Sequence, residues 1–379
     1  MRFSVILVLC ALPAFAQQHA KNVILFLGDA GGIPTLNAGS IYGYDDAQKL
    51  YIQHMPHIGL SDTSASNNWV TDSAAGMTAI VTGTKTYNGA ISVTPQPPAG
   101  KTEVAPLKTI LEYAEERGLS TGVVTNMPAA DATPAACYAH MDSRKKWGAI
   151  FAQIWKPRFG DGVDVVFGSA RGRITAETKE LGFDLEKELR ASGHEFYDDI
   201  AAVPDTAKRA VVLMEKLEDV NLATSKAIQI LSRNPKGYFL MVEWDLHPTH
   251  PEKCMQTVVA LDKLIEHTAK TADPGKTLVL FTADHSFDLR LLSGKRGTKL
   301  VFPPAQADEE EKRPKKAAKP EIAAEPAAKS NFGLSTHHAG EEVLIAAEGP
   351  GSENVHGFMH NTDIFKVFLS AFGWTEDSN

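Results

Sequence analysis

Short, continuous apolar runs separated by longer amphipathic stretches set the rhythm of this chain. Residues 22–27 read Asn-Val-Ile-Leu-Phe-Leu and close on Gly28-Asp29, and similar runs follow at 121–125, 163–167, 238–242, 277–282 and 343–347. Runs this short and unbroken fit strands that are buried on both faces. Between them, apolar positions recur at helical spacing over 107–116, 222–231, 254–268 and 362–369. Strands alternating with helices predict an α/β fold with a large, mostly parallel central sheet and helices on both faces. In such sheets ligands gather beyond the carboxyl ends of the strands. Asp29, Glu243 and Asp284 each stand just past a predicted strand, and each alone would serve equally well as a helix N-cap. Together they mark one edge of the sheet as the place to look for chemistry.

Two segments break the pattern. At the N-terminus, Arg2 precedes an apolar core at 4–12, and Ala14-Phe15-Ala16 fits a cleavage site before Gln17. That is the form of a secretory leader over 1–16, too short to span a bilayer, which predicts export to a periplasm or the outside. Cys10 follows Leu9 rather than a small residue, so no lipid anchor is expected, and no later segment is long enough to anchor the chain. The stretch 303–330 is rich in Ala, Pro, Lys and Glu and cannot bury enough apolar surface to offset its ordering entropy. It reads as a solvated insertion within a single domain covering 17–379.

Composition narrows the function. Across 379 residues, 43% are hydrophobic and 22% charged, as in a globular protein with a large core. A formal net charge of −8 argues against nonspecific nucleic-acid binding, but a local cation cluster or bound metal still allows an anionic substrate. Of the three cysteines, Cys10 leaves with the leader. Cys137 and Cys254 either pair in an oxidising compartment or sit as two small buried hydrophobes.

Candidate chemistry falls in clusters. Ser73, in Thr71-Asp72-Ser73-Ala74-Ala75, has no Gly-x-Ser-x-Gly elbow, so a base or a metal elsewhere has to activate it. Asp284-His285 offers a carboxylate and an imidazole at a strand end, and Glu243-Trp244-Asp245-Leu246-His247 with His250 adds two of each. These donors suit Zn²⁺. His337-His338-Ala339-Gly340 reads as a tight turn that aims a ring inward. Asp131-Ala132-Thr133-Pro134 looks like a strand end entering a helix, with oxygens that Mg²⁺ prefers to nitrogen. Beyond it, the planar fork of Arg144 matches two phosphate oxygens.

Gly28-Asp29, the Ser73 run, Thr82-Gly83-Thr84-Lys85-Thr86-Tyr87-Asn88-Gly89, the Asp131 run with Ser143-Arg144, Thr282-Ala283-Asp284-His285 and His338-Ala339-Gly340 occur in that order. In this the chain resembles the alkaline phosphatase family from about residue 21 to the C-terminus, most weakly over about 170–220 and the insertion. The resemblance implies two Zn²⁺ and one Mg²⁺, and a Ser73 that is phosphorylated and then hydrolysed. It implies that Asp29 bridges the second zinc and the magnesium, and that Asp284 and His285 hold the second zinc. His338 and the Asp245 cluster would hold the first zinc, Asp131, Thr133 and Glu243 the magnesium, and Arg144 the phosphate. Substrates would be small phosphate monoesters. Relatives are often dimers, although no segment marks a homodimer interface.

One stretch departs from the family pattern, in which the glutamate, aspartate and histidine are spaced as Glu-Gly-x-x-Ile-Asp-x-x-x-His. Here a single residue separates Glu243 from Asp245, and either His247 or His250 follows as the ligand, with His247 preferred. Asp245 is preferred to Glu243 as the zinc ligand, and the third metal is Mg²⁺ or Zn²⁺. Competing readings are a metal-dependent phosphodiesterase, a sulfatase, which would need a Cys/Ser-x-Pro-x-Arg setting absent at Ser73, and a degenerate phosphate binder.

Overall fold

The computed structural model describes residues 19–98, 100–305 and 330–376. The expected leader and most of the 303–330 stretch lie outside the described residues. Among the described residues there are twelve strands: β1 Asn22–Asp29, β2 His57–Ser61, β3 Ser120–Pro128, β4 Val165–Ser169, β5 Glu195–Tyr197, β6 Ala210–Leu213, β7 Tyr238–Asp245, β8 Thr277–Thr282, β9 Ser286–Leu291, β10 Phe332–Ala339, β11 Val343–Glu348 and β12 Gly357–Met359. Ten of them form one sheet in the order β12-β2-β11-β8-β1-β7-β3-β4-β6-β5. Neighbours in it are parallel except where β11 runs against β8 and β2. The expected large, mostly parallel sheet is therefore present, with β11 as its antiparallel member.

Helices cover both faces. They are α1 Ile33–Tyr44, α2 Ser73–Thr82, α3 Ile110–Glu116, α4 Ala132–Tyr138, α5 Trp147–Phe151, α6 Arg171–Glu180, α7 Leu185–Ala191, α8 Val220–Leu231, α9 Pro251–Thr271 and α10 Asp363–Phe372. The two-residue period of β1 shows how the faces divide. Val23, Leu25 and Leu27 join the core beneath α2, α3, α4 and α10, whereas Ile24 and Phe26 join the core beneath α1, α8 and α9. Met241 shares the α2 face. The same period carries Asp29, Glu243 and Asp245 toward that face at the carboxyl edge.

Several boundaries differ from the sequence reading. The strand expected at 238–242 runs on to Asp245, because β7 pairs with β1 in register as far as Asp29↔Asp245. Glu243 thus lies within a strand, not past it. The helix expected from 107 begins at Ile110, where Thr109 and Glu112 form a reciprocal capping box. The histidine pair is not in a turn. His338 lies in β10, which pairs antiparallel with β9, and an irregularity between Leu334 and His338 resets the alternation. Cys137 and Cys254 are free and buried, in cores on opposite faces of the sheet, so they cannot pair. Among the described residues, no helix is long and apolar enough to cross a membrane.

Glu115 of α3 is a buried acid away from the carboxyl edge. It accepts hydrogen bonds from Gly162 N (3.1 Å) and Thr121 Oγ1 (3.2 Å). Burial first, then Glu112, pushes its carboxyl up to about 9. Since the folded value lies above the unfolded one, its contribution to stability is whole below the ordinary carboxyl range and is lost as pH climbs through about 9. Glu115→Gln removes this titration. The melting temperature of the variant should therefore gain on that of the parent as pH is raised from 5 to 9, and a constant offset over that range would contradict the assignment.

Candidate active site

The site assembles where β1, β7 and β8 end and α2 begins. Asp72 is the N-cap of α2, its Oδ1 accepting from Ala75 N at 3.1 Å, and this cap presents Ser73 as the first helical residue. Ser73 is 3% exposed, and its Oγ lies 3.2 Å from His285 Nε2. Asp29 closes β1, and the next residue, Ala30, takes φ +64°, a left-handed conformation that costs a non-glycine residue about 1–2 kcal/mol. That turn brings Ala30 N toward Asp284 Oδ1 (3.4 Å), which also accepts from His285 N at 3.0 Å.

Each imidazole is oriented by a backbone or carboxylate oxygen. His285 Nδ1–H donates to Ser286 O at 3.0 Å and His338 Nδ1–H to Thr71 O at 2.9 Å, leaving each Nε2 with its lone pair. The two rings stack at 3.9 Å. His247 Nδ1 lies 2.8 Å from Asp245 Oδ1, and Phe287 packs against its ring at 5.2 Å. Two donor sets result, each with its ligand atoms within 4.8 Å of one another: Asp29, Asp284 and His285 deep in the site, and His247, His285 and His338 toward its mouth. Asp245 lies outside both sets. His250 is exposed at the N-cap of α9, away from them.

A third group of oxygens lies alongside. Glu243 is fully buried and accepts a short hydrogen bond from Thr125 Oγ1, and Asp131 and Thr133 open α4. Arg144, in a turn before α5, splits its fork between Asp72 Oδ2 (3.2 Å) and Asp131 Oδ1 (3.1 Å). Sequence reasoning assigned no role to Asp72 or Thr125. Only the small-residue run after Ser73 and the strand end before Asn126 pointed toward them.

The electrostatics are those of a crowded anionic pocket. Burial raises Glu243 well above the carboxyl range, with Asp29, Asp131 and Asp284 adding to it, and burial and Asp29 raise Asp284 to about 6. Burial would lift Asp29 too, but His247, His285 and Arg144 hold it below the ordinary range. Against the effect of burial, Asp29 and Asp245 push His247 up to about 10, while burial and His285 bring His338 down to about 4. Asp29 Oδ1, Asp284 Oδ2, Glu243 Oε1 and Thr133 Oγ1 are buried without a hydrogen-bond partner among the described residues. Orphaned acceptors of this kind, beside imidazoles with free lone pairs, are what a cation would satisfy. The donor chemistry fits divalent metals.

A serine on a helix N-terminus beside clustered carboxylates and imidazoles defines the class: a candidate metal centre of hydrolytic type. A family model described as alkaline phosphatase matches residues 20–175 and 216–319. The alkaline phosphatase of Escherichia coli is 28% identical over a 449-residue alignment spanning 95% of this chain and 88% of that one. Alkaline phosphatase 4 of Bacillus subtilis is 28% identical, spanning 93% and 89%. Among solved structures, a His-to-Asp variant of TAB5 alkaline phosphatase with magnesium bound superposes with a TM-score of 0.73 at 25% identity, covering 95% of this chain and 100% of its own. The Thermus thermophilus alkaline phosphatase, at 19% identity and a TM-score of 0.74, covers 95% and 94% and shares the fold. The chain belongs to the alkaline phosphatase family.

Asp72 has two tasks, capping α2 and holding Arg144, and they are separable. Asp72→Ala should cost about 0.5–2 kcal/mol in denaturant unfolding, whereas Asp72→Asn, an equally good cap, should cost less. Equal losses in the two variants would show that the cap is not what Asp72 contributes to stability.

Proposed function

We propose that this protein is a metal-dependent hydrolase of small phosphate monoesters that works through a phosphorylated Ser73. The observation that carries this reading is the contact of Ser73 Oγ with His285 Nε2, within a set of buried acids whose oxygens lack partners. Asp29, Asp284 and His285 would hold an inner zinc, and His247 and His338, with Asp245 beside them, an outer zinc. Asp131, Thr133 and Glu243 would hold a magnesium through oxygen, with Asp29 reaching both it and the inner zinc. When bound, these ions would supply the positive field that favours the Ser73 alkoxide and steadies both apical oxygens of an in-line displacement.

The remaining roles fall to the chain itself. Ser73 Oγ gives up its proton and forms a bond to phosphorus as the ester oxygen leaves with its electron pair and takes up one proton, so the alcohol departs neutral and the step is proton-neutral. Water then hydrolyses the phosphoserine and restores the hydroxyl. The cap of α2 fixes where Oγ stands, at the positive end of the helix. Arg144 matches two nonbridging oxygens with its fork, an arrangement suited to the dianion of a monoester and poorly suited to a second ester group. Residues 1–16 would act as the export leader of a single domain over 17–379, with work in the periplasm or outside the cell.

The test is phosphate release from an aryl phosphate monoester, with the matching diester as contrast. Hydrolysis should favour the monoester, fall away on thorough chelation and return with Zn²⁺ and Mg²⁺. Acid quenching should trap phosphate on the parent and none on Ser73→Ala. Activity that survives chelation, or a Ser73→Ala variant as fast as the parent, would refute the reading. Arg144→Ala should weaken inhibition by inorganic phosphate by roughly 10- to 150-fold, the worth of about 1.5–3 kcal/mol for a charged hydrogen-bonding group. Metal content should hold, and an unchanged inhibition constant would remove Arg144 from the phosphate site.

A further inference from the structure

We propose that Asn88 is a positioning residue of the phosphate site: it holds the loop that presents Ser73 at a fixed separation from Arg144, so that hydroxyl and guanidinium fork fit one phosphoryl group. This role rests on the reading of Arg144 as the phosphate fork, proposed above. It gives a task to Thr82-Gly83-Thr84-Lys85-Thr86-Tyr87-Asn88-Gly89, a motif that contributes to neither donor set. The Asn88 carboxamide spans the loop before α2. Its Nδ2 donates to Val70 O at 3.1 Å and its Oδ1 accepts from Asp72 N at 3.3 Å. One amide thus uses both its donor and its acceptor end on the same stretch of backbone, which fixes its orientation. The two bonds bracket Thr71, whose carbonyl holds His338, and end on Asp72, the cap that sets Ser73 on α2.

The same segment is tied to the Arg144 loop. Gly89 O accepts from Arg144 N at 2.7 Å, Tyr87 Oη donates to Asp142 O at 3.2 Å, and Ile91 and Met141 exchange both backbone bonds at 2.8 and 2.9 Å. Toward the nucleophile loop, Ser66 N donates to Thr86 O at 2.9 Å and Asn88 N to Asn67 Oδ1 at 3.1 Å. Residues 86–91 are therefore a strap stitched to 66–72 on one side and to 141–144 on the other. A turn closed by Ala90 N on Tyr87 O at 3.1 Å, with Gly89 at φ +87°, lets the Asn88 side chain meet one loop while the next carbonyl meets the other. The Asp72–Arg144 ion pair also joins the two loops, at 3.2 Å, but it shares the guanidinium with any phosphate that enters. The bonds of the strap involve neither the fork nor the Ser73 hydroxyl, so binding leaves them in place. A fixed separation matters because a misplacement of about 1 Å between reacting groups costs on the order of 100-fold in rate.

The test is a double-mutant cycle read in the dissociation constant of inorganic phosphate, measured by calorimetry on the full chain supplemented with Zn²⁺ and Mg²⁺. Asn88→Ala should weaken phosphate binding by about 2- to 12-fold, the range of a neutral hydrogen bond. In an Arg144→Ala background the same substitution should change the constant by less than about 2-fold, because the fork it positions is gone. Asn88→Ser, too short to reach both partners, should behave as Asn88→Ala does and carries the test if the alanine variant loses its cooperative melting transition. Parental affinity in Asn88→Ala would overturn the inference. An equal loss in both backgrounds would overturn it too, since a general loosening of the site needs no Arg144. An Arg144→Ala variant that binds phosphate as tightly as the parent would instead overturn the reading of the fork beneath it.

Discussion

Three carboxylates, Asp29, Glu243 and Asp284, are buried side by side at the carboxyl edge of one sheet, and each is at most 1% exposed. Removing a carboxylate from water costs several kcal/mol unless charge or hydrogen bonds compensate it. Protein groups meet that demand only in part. Imidazoles and Arg144 keep Asp29 ionised, Thr125 caps one oxygen of Glu243, and backbone N–H groups hold one oxygen of Asp284. What is left over is a set of buried oxygens with no hydrogen-bond partner among the described residues, of which Asp29 Oδ1 and Asp284 Oδ2 lie 3.3 and 3.6 Å from His285 Nε2. A cation among them, or protonation of Glu243 and Asp284, whose carboxyls burial raises, would relieve the crowding, and the donors around them are arranged to suit a cation.

The fold creates this crowding by simple means. Parallel pairing in register ends β1 and β7 together, so the two-residue period delivers Asp29, Glu243 and Asp245 to the same face. The loop after β8 then folds Asp284 and His285 over the end of β1, with left-handed Ala30 making the close approach. A separate two-stranded ribbon of β9 and β10 carries His338 in from the side, anchored near the site by the Ala339↔Ser286 pair. The other end of the ribbon is the Phe332↔Leu291 pair. Helix α2 places Ser73 opposite the whole assembly, and Asp72 couples the start of that helix to Arg144.

Much of this was legible in the sequence. Continuous apolar runs mark β1, β3, β4, β7, β8 and β11 but not the four-residue buried strand β6, and short motifs mark Asp29, Ser73, Asp284, His285 and Arg144 as candidates before any contact is visible. Short polar or edge strands were not legible: β2, β5, β12 and the β9–β10 ribbon lack the apolar density that marks a doubly buried strand. The ending of β7 was misjudged because Glu243 and Asp245 look like loop residues until their pairing partner on β1 is known. His338 stands in a strand rather than the expected turn, since an irregularity in the strand resets the alternation without leaving a compositional trace. The pairs Thr125–Glu243 and Asp72–Arg144 join residues far apart in the chain, a relation that no local pattern records. Chain-specific spacing mattered as well: the compressed Glu243-to-His247 stretch raised a doubt in the sequence and became an Asp245–His247 hydrogen bond in three dimensions.

The most direct measurement is anomalous diffraction at the zinc absorption edge from crystals grown with zinc and soaked in vanadate. The account predicts anomalous peaks within bonding reach of Asp29, Asp284 and His285 and of His247 and His338, with vanadium joined to Ser73 Oγ and gripped by Arg144. Maps with no peak at those side chains, or vanadate seated away from Ser73, would contradict it.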